Sequence, residues 1–198
     1  MRRLKRGWRK GMRGEFDPRV VGEAEVGWWR AHNEHKKELM LEMLIGEHSE
    51  LYGFSAEEAG VALKGLFEAA LLHDKRNWDG SRREATKYYQ AIKDKTGLGF
   101  DPGEMAGLEV GWWIMHDELE FVDDKTRLAD AFARLYAAQF GLEQKKLSQA
   151  GKLKAQATKS HDLAEREGVS KDEAEKHWGR AGDLLVEFYE ELKRVVNG

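Results

Sequence analysis

The chain has no cysteine. That excludes disulfides, thiolate nucleophiles and zinc–thiolate sites together, and a reducing cytoplasm is the compartment that suits it best. Only two prolines occur, Pro18 and Pro102, so little interrupts long helices. No run of 18 apolar residues exists, and no segment is expected to span a membrane. The opening MRRLKRGWRKGMR has no apolar stretch and does not read as a secretory leader. Glycine-rich phosphate loops, nucleophile elbows and Ser/His/Asp arrangements are also missing.

What is present is charge. Of 198 residues, 35% are charged, and with so few prolines the pattern is that of an all-α protein. The length suits one medium domain that buries its own core without staples. A net charge of −3 hides an asymmetry: Arg2, Arg3, Lys5, Arg6, Arg9, Lys10 and Arg13 put +7 on the first 13 residues, leaving −10 on the rest. Residues 1–14 read as a basic, flexible tail, separable from the fold. Such a tail suits nucleic acid, an anionic membrane surface or the acidic body itself, and Trp8 suits a lipid interface.

The dominant feature is a repeat. FDPRVVGEAEVGWWRAHNE begins at Phe16, and FDPGEMAGLEVGWWIMHDE begins 84 positions later at Phe100. His73-Asp74 recurs as His161-Asp162, and the Ser81-x-x-Glu84-Ala85-x-Lys87 pattern recurs from Ser170. This is the signature of a gene duplication, with repeat one at 15–97 and repeat two at 98–198. Asp17-Pro18 and Asp101-Pro102 are helix starts: the carboxylate caps an orphan N–H and the proline has none to waste. The first helix is expected to run to Tyr52, with Gly53 as its cap, or to break near Asn33, where its apolar stripe turns. Capping boxes at Ser55–Glu58, Ser81–Glu84 and Ser170–Glu173 open further helices. Gly97 is a C-cap, and the polar stretch Leu142–Glu167 is expected to be the most exposed helix. The matched Gly27 and Gly111 suggest close helix–helix approach.

The expected fold is therefore a tandem duplication of a three-helix unit, six main helices packed as a pseudo-two-fold helical bundle, like a fused homodimer.

Glu25, His32, Glu109 and His116 are ionisable residues in the middle of the apolar stripe, and such groups must be paired or ligated when buried. Seven residues apart, Glu25 and His32 are ~10 Å apart along a helix, so they do not share one ion. Antiparallel packing of the two copies would bring Glu25 to His116 and Glu109 to His32. These contacts read either as buried Glu–His hydrogen bonds that fix register, or as halves of metal sites completed by His73, Asp74, His161 or Asp162; the remaining reading is that the side chains point to solvent. Trp28, Trp29, Trp112 and Trp113 read as core and interface anchors, with a ligand pocket as the alternative. His73 and His161 read as helix C-terminal residues facing exposed carbonyls. The neighbouring aspartates, ~100° round the helix, are not expected to pair with them.

Two function classes follow. The first is a non-enzymatic binding or assembly protein, with a protein partner or self-association and no cofactor. The second is a metal-binding bundle carrying iron, manganese or zinc at Glu/His sites, with redox or oxygenase-like chemistry. The missing Glu-x-x-His spacing of carboxylate metal bundles favours the first.

Overall fold

Asp17 and Asp101 each leave an extended backbone and accept a backbone N–H from the first turn that follows, from Arg19 two residues on and from Glu104 three residues on. A computed structural model, which describes residues 15–198, builds eight α-helices on these and similar signals. They are α1 (Pro18–Asn33), α2 (Lys37–Tyr52), α3 (Ala56–Asp74), α4 (Trp78–Thr96), α5 (Pro102–Leu119), α6 (Thr126–Phe140), α7 (Ser148–Ala164) and α8 (Lys171–Asn197). A 3-10 turn, Gln144–Leu147, leads into α7. No strand occurs among the described residues. The basic segment Arg2, Arg3, Lys5, Arg6, Arg9, Lys10 and Arg13 lies outside them.

Eight helices replace the expected six because each of the two long helices expected after Asp17 and Asp101 is divided. After Asn33 the chain turns through His35 at φ 57, with Lys36 N–H donating back to the Ala31 carbonyl. The stripe turns here because α1 and α2 form a hairpin and each buries a different face. The later break falls between Leu119 and Thr126. There the ammonium of Lys125 donates to the carbonyls of Leu119 and Glu120, which the end of a helix leaves without partners.

Consecutive helices pack on one another, α2 on α3 only lightly, and α8 returns to α1. The circuit encloses a core of large side chains, among them Phe16, Val21, Tyr89, Ile92, Phe100, Met105, Leu185, Phe188 and Tyr189. Two expectations fail here. α1 and α5 are not an antiparallel pair; α1 packs on α2 and α8, and α5 on α4 and α6. Nor is the polar stretch most exposed: α7 buries Ala150, Gly151, Leu153, Lys154, Ala155, Ala157, Thr158 and Ser160. Its small side chains let neighbouring backbone come close. A Cβ on Gly151 would lie 2.3 Å from the Ala129 carbonyl oxygen.

Glycine and serine roles shift too. Close approach belongs to Gly22, where a Cβ would lie 2.8 Å from the Val186 backbone nitrogen; Gly27 meets only the flexible Met43 side chain, and Gly111 meets nothing within 4 Å. The boxes at Ser55 and Ser170 form. Ser81 does not start a helix. It is buried within α4 and donates to the Ala69 carbonyl of α3, while Asn77 caps α4 through the Gly80 N–H.

Candidate functional site

Three places gather the polar and aromatic residues that could bind or react. The first is the interior between α1, α2, α7 and α8. Glu25 accepts from Lys154 and, at 2.8 Å, from the Tyr189 hydroxyl. Beside it, Glu47 accepts from Trp28 Nε1 at 2.7 Å. Burial, reinforced by the Glu25 charge, pushes Glu47 up to about 8, so it holds its proton at neutral pH. On the other side of the core the Tyr89 hydroxyl donates to Glu109 at 2.6 Å, and burial raises that carboxyl. His48 is sealed between the Leu44 carbonyl and the Tyr88 hydroxyl, and burial lowers it to about 4.

The Glu–His cross-pairs therefore do not form. Glu25 and Glu109 find tyrosines from α8 and α4, because those helices, and not α5 and α1, cover them. His32 is exposed.

The second place lies at the C-terminal ends of α5 and α7. One carboxylate oxygen, Asp162 Oδ1, is 2.9 Å from His116 Nε2 and 3.2 Å from His161 Nδ1. The other oxygen accepts from Lys125 at 2.8 Å. His161 turns its second nitrogen to Glu165 at 3.1 Å and lies 3.2 Å from the Asn33 side-chain amide of α1. Its ring sits edge-on to Trp29 and Trp178, with centroids at 5.3 and 5.4 Å. Burial disfavours the imidazolium, but Asp162 and Glu165 outweigh it and carry His161 up to about 9. The aspartate is likewise held well below the carboxylate range against burial, by His116, His161 and Lys125. So His161 and Asp162 do pair, contrary to the helical-angle argument: Nδ1 lies near its own backbone and reaches the next side chain.

His73 also lies between two tryptophans but has a different carboxylate partner. Its Nε2 lies 3.0 Å from Asp117 Oδ2 of α5, and its ring rests between Trp78 and Trp113. Asp74 is exposed. His73 and His161 both lie in the last turn of their helices, as expected, but the hydrogen bonds their rings make go to side chains. Of the six metal candidates, the structure brings together His116 and His161 and separates Glu25, His32, Glu109 and His73 from them.

The third place is an open groove of ≈ 570 Å³ between α1 and α8. Val26, Val186 and Trp178 supply its apolar lining, and Arg30 is clamped by two hydrogen bonds to Glu175. The tandem tryptophans do not line it. Trp28, Trp29, Trp112 and Trp113 are half-buried among helices.

Sequence reasoning missed Lys154, Glu47, Tyr189, Lys125, Asn33 and Trp178. Lys154 lay in a stretch of such even polarity that nothing distinguished its face. Trp178 carried a usable signal, an aromatic in an otherwise polar first part of its helix. No known protein family, curated protein or solved structure matches this chain.

Proposed function

We propose that the chain is a fused pseudo-homodimer, two copies of one unit at 15–97 and 98–198, acting as a non-enzymatic binding or assembly protein. The observation that carries the reading is an exchange of partners between the halves. Tyr189 of the second half donates to Glu25 of the first, and Tyr89 of the first donates to Glu109 of the second. Phe16 meets Tyr189 edge-on with centroids at 6.0 Å, and Phe100 meets Tyr89 at 6.0 Å. His161 lies between Trp29 and Trp178, as His73 lies between Trp113 and Trp78. An isologous dimer makes each contact twice in this way.

In this reading the last helices correspond through Trp78 with Trp178 and Tyr89 with Tyr189, 100 positions apart, and not through Ser81 with Ser170. α8 then carries about two extra turns at its start. Those turns bring Glu175 to Arg30 at the edge of the groove, whose α8 wall otherwise runs from Trp178 to Glu190; the groove is the surface offered to a partner. Support for a non-enzymatic role comes from the groove itself. Enzymes concentrate perturbed ionisable groups in their clefts; here Glu47 and His48 are sealed in the interior, His161 and Asp162 lie outside the groove, and the groove is lined by exposed ion pairs such as Arg19–Glu23.

Residues 14–98 produced alone test this. They should form a symmetric dimer or remain molten by analytical ultracentrifugation and NMR. A folded, monomeric half with sharp, dispersed signals would overturn the reading.

A further inference from the structure

The exchange of partners accounts for the rings around His161. It does not account for two imidazoles converging on one carboxylate oxygen that Lys125 already helps to neutralise through the other oxygen. A carboxylate oxygen can accept two hydrogen bonds, so the contacts also suit hydrogen bonding; what they add is three metal-ligating groups from two helices gathered at one partly accessible point. A metal ion needs several donors, from different side chains, aimed at one point.

We propose that His116 Nε2, His161 Nδ1 and Asp162 Oδ1 bind one divalent transition-metal ion. Each of the three residues offers a ligand atom within 4.8 Å of the other two, and His116 Nε2 and His161 Nδ1 are 2.9 and 3.2 Å from Asp162 Oδ1. Donors ~2.0–2.2 Å from an ion, at right or tetrahedral angles, stand about 3–3.5 Å apart. To take an ion the site therefore needs small side-chain shifts and release of the protons now shared between the imidazoles and Asp162. Two imidazoles and one carboxylate select zinc(II), iron(II) or cobalt(II) over calcium or magnesium, which prefer all-oxygen shells.

The outer contacts match that role. A metal-ligating histidine commonly gives its second nitrogen to a carboxylate, which fixes tautomer and ring orientation; His161 Nε2 has Glu165 at 3.1 Å. Lys125 occupies Asp162 Oδ2, leaving Oδ1 to ligate. Trp29 and Trp178 hold the His161 ring in place. Side-chain exposures of 23% for His116 and 6% for Asp162 leave a way in from solvent on the imidazole side while shielding the charge.

The stoichiometry is one. The corresponding residues of the first half, His32, His73 and Asp74, do not converge: His32 and Asp74 are exposed, and His73 pairs with Asp117.

The test uses untagged, full-length protein stripped with EDTA, titrated with zinc(II) by calorimetry and with cobalt(II) by absorption spectroscopy. One equivalent should bind, with the visible bands of a nitrogen-ligated cobalt ion. His116→Gln and His161→Gln should each weaken binding by about 100-fold or more, and Lys125→Met by about 10–100-fold. His32→Gln and His73→Gln should leave it unchanged. Melting curves in EDTA check that each variant folds. Absence of saturable binding below about 0.1 mM, or binding that survives both His116→Gln and His161→Gln, would overturn the proposal.

Discussion

Lys154 of α7 and Glu25 of α1 form an ion pair inside the molecule, 129 positions apart in the chain. The ammonium also sits over the rings of Phe188 and Tyr189, at 4.9 and 5.6 Å, where cation–π attraction offsets part of its lost hydration. The pair joins the second half of the chain to the first.

Removing one partner is predicted to be far worse than removing both. Lys154→Met leaves Glu25 buried without its counter-charge, which costs about 3–5 kcal/mol. Adding Glu25→Gln should recover most of that loss, because the replacement carries no charge. Urea unfolding of the two single variants and the double variant measures the coupling. A Lys154→Met protein within about 1 kcal/mol of the parent would mean that the pair is solvated.

Glu47 sets a pH dependence. Its folded carboxyl is raised to about 8, against about 4.3 in an unfolded chain. The folded state therefore keeps a proton that the unfolded state releases. Glu47's contribution is fully present below about pH 4.3 and is lost as pH rises through about 8. Glu47→Gln, which keeps the acceptor for Trp28 Nε1, should flatten that decline and be more stable than the parent at pH 8. Thermal melts between pH 5 and 8.5 decide it; parallel curves for parent and variant would contradict the assignment.

How much of this was readable in advance differs by element. The caps at Asp17, Ser55, Asp101 and Ser170 were legible because they are local, each one side chain and one backbone N–H within a turn. The division of the first helix was legible as a turning stripe. The partners of Glu25 were not. Its burial followed from its neighbours, but Lys154 reaches it from a helix whose small residues hide no periodic face. His116 and His161 were singled out one at a time; their convergence depends on where α5 and α7 end, which no local pattern encodes. Ser81 misled because a capping box is a weak signal against a buried serine with a carbonyl to satisfy.

The central claim is that the two halves share one interior and neither is complete alone. Trp29 and Trp113 each cross between the halves, resting on His161 and His73, so tryptophan emission reports their docking while far-ultraviolet circular dichroism reports the helices. The most direct measurement is equilibrium urea unfolding of the intact chain followed by both signals. One shared interior predicts superimposable curves and a single midpoint. A loss of the tryptophan signal at lower urea, with the helices still intact, would contradict it.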